Sequence, residues 1–313
     1  MHCRKEILKT FIVLLIGIVV ISIGIATVYF FDKSADSPGE TPRFDGNRAL
    51  KDIEYQVSLG PRVPGSEGHT EVVNWLVEKL ENSGWEVEVQ ALTWGGLPIQ
   101  NITAKIGNGT PWIILGTHYD TRMVADRDPS LENRMLPVPG ANDGASGVSV
   151  LLELARILPD YLDNSTGDIL QKPGQIWLVF FDAEDNGRIS GRDWAMGSQA
   201  FVQELVDYPD AVVIVDMIGD RDLNLCREGF SDQEILNSIW RGAKKLGYGE
   251  YFHYSKECYI RDDHIAFLNA GIPTVNLIDI DYHYWHTVED TIDKVSAESL
   301  QIIGETLLEW LFE

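Results

Sequence analysis

Residues 176–185 read Ile-Trp-Leu-Val-Phe-Phe-Asp-Ala-Glu-Asp, an unbroken apolar run that ends abruptly in three carboxylates. A short run of this kind, with no polar alternation, marks a strand covered on both faces. Three further runs share the character: Trp-Ile-Ile-Leu-Gly at 112–116, Val-Val-Ile-Val at 212–215 and Pro-Thr-Val-Asn-Leu-Ile at 273–278. Helical stretches fall near 145–157, 197–206, 231–246 and 263–270, with a last one near 297–312. Upstream, Val73, Leu76, Val77 and Leu80 repeat at helical spacing between Ser66 and Gly84, after which Trp85, Val87 and Val89 alternate as a strand does. Strands alternating with helices predict an α/β fold, a three-layer sandwich whose central, mostly parallel twisted sheet is flanked by helices.

In such sheets ligands gather at the C-terminal ends of the strands. There this chain places His118-Tyr119-Asp120, Asp182-Ala183-Glu184-Asp185, Asp216 and His286, and the loop from Gly140 to Gly147 adds Asp143 where a helix should begin. Singly, each has an ordinary explanation: Asp143 a helix cap, Asp216 a turn residue, His286 a hydrogen-bonded histidine. Together they are harder to dismiss, because carboxylates converging on one rim need a cation or shared protons to be tolerated. Three cysteines, Cys3, Cys226 and Cys258, make neither a disulfide framework nor a four-thiolate site. Imidazole and carboxylate ligands suit zinc, with other divalent metals open.

The 313 residues carry 25 Lys and Arg against 48 Asp and Glu, a net charge of −23, and 44% hydrophobic content. The apolar content excludes wholesale disorder, and the acidity excludes nucleic acid held in a basic groove. Thr10 to Phe31 is free of charge and reaches roughly 33 Å as a helix, enough to cross a hydrocarbon core. A cleaved signal peptide is the alternative, but the run is long for one and no small-x-small site follows it. Arg4, Lys5 and Lys9 precede the run, so residues 1–9 are expected to be cytoplasmic, 10–31 a membrane anchor, 32–46 a linker and 47–313 a catalytic domain on the extracytoplasmic side. Sequons at Asn101, Asn108 and Asn164 read as chance occurrences on surface loops. A Cys226–Cys258 bridge suits an oxidising compartment, though spacing alone leaves it open.

In order, the segments GTHYDTR (116–122), GANDGASG (140–147), FFDAEDNG (180–187), VDMIGD (215–220), DDHIAFLNAGIP (262–273) and YWHTVEDT (284–291) resemble the zinc-dependent exopeptidase superfamily. That superfamily holds bacterial aminopeptidases and the animal-type glutaminyl-peptide cyclotransferases. The likeness runs over about residues 56 to 313, beginning at LGPRVPGS (59–66). The five aminopeptidase metal positions fall on His118, Asp143, Asp185, Asp216 and His286, and both branches keep these residue types. Other features resemble the cyclases, above all their bacterial members: Asp262-Asp263-His264 where aminopeptidases usually have Ser-Asp-His, Trp285 directly before His286, Glu184-Asp185 in place of Glu-Glu, and the run from Ile239 to Phe252.

The cyclase resemblance implies one zinc held by Asp143, Asp185 and His286 with a position open for substrate, and peptides with N-terminal Gln as substrate. It implies Glu184 as proton carrier, Asp216 and Asp263 as a hydrogen-bonding network around the reacting amide, Trp285 as an apolar wall and His118 as a group orienting a ligand. The aminopeptidase resemblance implies two zinc ions bridged by Asp143, with His118 and Asp216 completing one site, Asp185 and His286 the other, and Glu184 activating water. A third reading is a non-catalytic binding ectodomain; the intact Glu184 argues against it. Trp194 is a candidate pocket residue, His264 is expected to hydrogen-bond within the fold, His69, His253 and His283 receive no role, and the oligomeric state is open.

Overall fold

The computed structural model describes residues 43–164 and 173–312. The expected anchor at 10–31, nearly all of the expected linker and the side chain of Asn164 lie outside them. No helix of the described residues is long and apolar enough to cross a membrane. In chain order the elements are α1 (Gly46–Ser58), α2 (Glu67–Asn82), β1 (Glu86–Trp94), β2 (Leu97–Gly107), β3 (Trp112–His118), α3 (Ala145–Asn164), β4 (Gln175–Phe181), α4 (Met196–Glu204), β5 (Ala211–Asp216), β6 (Leu225–Glu228), α5 (Gln233–Lys245), β7 (Phe252–Cys258), α6 (His264–Asn269), β8 (Thr274–Ile278) and α7 (Ala297–Phe312).

The main sheet has the order β1-β2-β4-β3-β5-β8. Strands β4, β3, β5 and β8 run parallel, while β2 pairs antiparallel with both β4 and β1. The β1–β2 hairpin, turning at Gly95-Gly96 with both glycines at positive φ, thus makes the sheet mixed at one edge. Alternate residues of each parallel strand serve opposite cores, which is why the runs read as continuously apolar. Ile113, Leu115, Ile176, Leu178, Val213 and Val215 face the larger core with α1, α2, α3, α5 and α7. Trp112, Ile114, Val179, Phe181, Val212 and Ile214 face a smaller one closed by Phe201 of α4 and Phe267 of α6. Each fully buried aliphatic or aromatic side chain contributes about 1.5–3 kcal/mol. The two cores fix the strands, and with them the strand ends.

Local signals agree with the helix starts. Ser66 Oγ accepts the His69 N–H at the start of α2, and the Asp45 carboxylate accepts those of Asn47 and Arg48 at α1. Phe44 is 3% exposed and packs in the larger core, so the packed domain already includes the end of the segment expected as linker. Asn101 is buried on β2, its amide donating to Gln90 and Gly197 O, which corrects the expectation of a surface loop there; Asn108 is exposed. A second, two-stranded parallel sheet of β6 and β7 is joined by the Cys226–Cys258 disulfide, settling the pairing that spacing left open.

Candidate metal centre and active-site cleft

Strand β3 lies between β4 and β5, so the chain leaves it toward one neighbour and later returns on its other side. That reversal opens a crevice at the carboxyl ends of the strands. His118 closes β3 and Asp216 closes β5, and His118 Nε2 lies 3.1 Å from Asp216 Oδ1 and 3.2 Å from Asp143 Oδ1. On the other side of Asp143, His286 Nε2 lies 2.8 Å from Asp185 Oδ1 and 3.8 Å from Asp143 Oδ2. Two buried three-residue groups result, His118–Asp143–Asp216 and Asp143–Asp185–His286, each with its ligand atoms within 4.8 Å of one another and both sharing Asp143.

The backbone is bent to make this convergence. Ala183, Met217 and His286 take positive φ of 54°, 48° and 58°, conformations that are costly for side-chain-bearing residues and that cluster at functional sites. Asp120 holds the β4 exit: its carboxylate accepts the Glu184 N–H at 3.0 Å, the Asp185 N–H at 3.3 Å and the Asn186 amide at 3.0 Å. Asp290 does the same for the Asp143 loop, accepting the N–H groups of Asn142 and Asp143 and the Tyr282 hydroxyl. Arg62, fully buried, donates to the carbonyls of Tyr119, Pro139 and Gly140 and supplies positive charge beneath Asp290, Asp120 and Asp143. Arg122 donates to Asp185 O and grips Asp126, whose carboxylate lies 3.4 Å from His286 Nδ1.

Proton affinities record the crowding. Burial, reinforced by Asp143, pushes Asp185 up to about 6; burial, with Asp262, pushes Asp216 up to about 7. Burial and the charges of Asp262, Asp185 and Asp263 drive Glu184 well above the carboxylate range. Burial disfavours a charged His118, but its bonds to Asp120, Asp143 and Asp216 outweigh that and hold it well above an ordinary histidine. Asp143 Oδ2 and Asp185 Oδ2 are buried without a hydrogen-bond partner. Unpartnered carboxylate oxygens facing an imidazole nitrogen, with no thiolate nearby, fit zinc.

The ligands open onto a cleft of about 370 Å³, large enough for one residue and its neighbour. Asp143, Glu184, Asp185, Asp216, Trp285 and His286 all line it. The Trp285 ring centroid sits 3.9 Å from that of His286, and Trp194 stacks with the same histidine at 6.0 Å with planes 12° apart. Asp262 lines the wall, whereas Asp263 is buried behind it, both its oxygens without a hydrogen bond, and acts on Glu184 through its charge. His264 is buried with Nε2 3.3 Å from Glu228, an ion-pair distance, but neither ring nitrogen makes the hydrogen bond expected of it. A larger hollow of about 600 Å³ beside Asp220, Asp222 and Asp281 is lined by none of these residues.

The family model for peptidase family M28 matches residues 101–311, a span containing every candidate ligand. The chain belongs to family M28. A curated relative of this M28 chain, from Drosophila melanogaster, is named glutaminyl-peptide cyclotransferase and is 26% identical over 78% of this chain and 75% of its own length. Two solved structures from Bacteroides thetaiotaomicron each align with a TM-score of 0.78 at 33% identity, covering 88% of this chain and 99% of theirs; one is a glutaminyl cyclase bound to N-acetylhistamine, the other a leucine aminopeptidase precursor. The M28 chain therefore keeps both reactions among its neighbours, and its own geometry has to be weighed.

The candidate ligands His118, Asp143, Asp185, Asp216 and His286 converge on one rim, with Glu184 and Trp285 lining the same cleft, whereas Asp263 lies outside the cleft lining. Trp194, a candidate pocket residue from the sequence, lines the cleft, while sequence reasoning missed what Asp120, Asp290 and Arg62 do there. Asp120 and Asp290 stand inside the quoted motifs, but they bind backbone N–H groups, and that leaves no pattern in side-chain types. His69, given no role, is buried with Nε2 2.9 Å from Asp182 Oδ1.

Proposed function

We propose that this chain is a zinc-dependent glutaminyl-peptide cyclotransferase that converts the N-terminal Gln of peptides to pyroglutamate with release of ammonia. The observation that carries the reading is the pairing of the Asp143–Asp185–His286 group with Trp285, whose ring packs against the ligand histidine and lines the cleft beside it. Relatives named for this reaction support it. When bound, zinc supplies Lewis-acid polarisation of the side-chain carbonyl. Asp143, Asp185 and His286 would hold it.

The chain's own residues account for the rest. The substrate's α-amine is the nucleophile and its side-chain amide carbon the electrophile, so positioning is the main demand. Trp285 and Trp194 present apolar faces that exclude water, which would otherwise compete with the amine. Glu184, whose carboxylate makes no hydrogen bond and has raised proton affinity, takes a proton from the amine as the ring C–N bond forms. It returns that proton to the departing nitrogen as the amide C–N bond breaks, so ammonia leaves and Glu184 is regenerated. Asp216 and Asp262, on the same wall, are within the cleft to accept from the reacting nitrogens.

A second reading has its own observation. His118 reaches both Asp143 and Asp216, completing a second ligand group around a shared carboxylate, the layout of a two-metal aminopeptidase. Incubating the protein with a Gln-initiated peptide and with Leu-p-nitroanilide separates the two. Ammonia from the first is expected; nitroaniline without ammonia would replace cyclase by peptidase. We further propose that residues 10–31 anchor the chain with this domain outside, which the Cys226–Cys258 disulfide supports, since such bonds persist in oxidising compartments.

A further inference from the structure

The floor of the cleft is acidic, yet Arg127, Arg188 and Arg261 all line it and all are exposed. Basic residues are scarce here: the chain has 25 Lys and Arg against 48 Asp and Glu. Three of the other arginines are consumed by carboxylates, Arg48 by Glu153, Arg122 by Asp126 and Arg156 by Asp52. Among the described residues, none of the three at the cleft has a carboxylate partner. Asp126, the acid next to Arg127 in sequence, is held on both oxygens by Arg122. Arg127 instead lies 5.1 Å over the Trp285 ring, which holds a guanidinium at the edge of the substrate wall. Three unpaired guanidinium groups around an acidic floor make a site with two signs: negative where an α-ammonium would sit, positive where the rest of a peptide would leave.

We infer that the mouth of the cleft is a carboxylate subsite, and that the preferred substrates carry a carboxylate just after the N-terminal residue. The inference rests on the proposed peptide chemistry of the same site. An arginine fork matches a carboxylate's geometry better than any other partner. The overall charge of −23 does not oppose this at close range, because charges farther than about 8 Å are largely screened at physiological salt. The carboxylate has two sources, an acidic side chain at the second position or the free C-terminus of a dipeptide.

The test compares kcat/KM for Gln-Glu-amide and Gln-Lys-amide, and for Gln-Gly as free acid and as amide. One exposed ion pair is worth about two- to fivefold in binding. We expect the Glu peptide to exceed the Lys peptide by at least about fivefold, carried in KM, with the ratio falling as salt is raised. In R127Q/R188Q/R261Q the ratio should drop to about 1; the single variant R261Q, away from Trp285, should lower it in part and guards against a triple variant that does not fold. The free-acid pair identifies the terminal carboxylate as the source, the Glu–Lys pair the side chain. Ratios near 1 for both pairs in the unaltered protein, or a ratio unmoved in folded variants, overturn the subsite. If Gln is not cyclised at all, the cyclase reading fails alone: titration calorimetry of the same peptides on E184Q then decides the subsite, by whether the acidic peptide binds more tightly.

Discussion

Glu184 and Asp185 are neighbours with opposite tasks, and the backbone separates them. Ala183, at φ 54°, turns the chain at the end of β4 so that Asp185 meets His286 while the Glu184 carboxylate stands in the cleft without a hydrogen bond. Glu184→Gln keeps the shape and removes the proton carrier. Turnover should fall by about 10²–10⁴ with zinc content unchanged, checked by ammonia release and metal analysis; retained rate would take Glu184 out of the mechanism. His118 divides the two enzymatic readings. In the cyclase it orients Asp143 and Asp216, so His118→Ala should lower activity while one zinc per chain remains. In the two-metal peptidase the same change should reduce metal from two equivalents toward one. Metal analysis before and after the substitution distinguishes them.

Among the elements that the sequence left unread, the β6–β7 ribbon bears on the cleft. Its disulfide packs with Met217, Ile260, Ile278, Ile280 and Trp285, all of which line the cleft. Closing a loop of sequence separation 32 is worth about 3–4 kcal/mol in the chain-entropy account. Replacing Cys226 and Cys258 by Ser should lower Tm by roughly 10 °C and raise KM, because the apolar wall loses its backing; an unchanged KM in folded protein would confine the bridge to stability. The parallel strands and six of the helices, α2 to α7, were legible because burial on two faces or one stripe writes itself as apolar residues. Helix α1 was not: two of its buried positions are Asp52, paired with Arg156, and Gln56, bonded to Ser149, so its inner stripe is half polar. Strand β2 likewise buries Asn101 and Thr103 among its apolar residues, and β6 and β7 are short and polar. The ligands were legible because they end apolar runs or, for Asp143, stand in the glycine-rich loop before a helix; the residues that hold their backbone were not.

Over the whole molecule, the site stores a conflict that shows up in stability. Asp185, at about 6, and Asp216, at about 7, hold protons in the folded metal-free protein at pH values where the unfolded chain has released them. The native state therefore binds more protons than the unfolded state between about pH 4 and 7, and stability falls as pH rises through that window. His118, raised well above its ordinary value, acts in the same direction: its contribution is complete below the unfolded value and is lost as pH rises through the folded one. Asp143, shifted down, acts in the opposite direction, but at and below the ordinary carboxylate value, under most of this window. Zinc takes the place of these protons, so it competes with them near pH 5 and binds most tightly near pH 8. At a thousandfold excess over Kd it would add about 4 kcal/mol, or roughly 8–16 °C in Tm for a domain of this size. Calorimetry of the chelated protein should thus show Tm declining from pH 5 to pH 8, and added zinc should restore more at pH 8 than at pH 5. A metal-free Tm that climbs with pH, or a zinc increment equal at both, would mean that the buried carboxylates are not the groups that bind the ion.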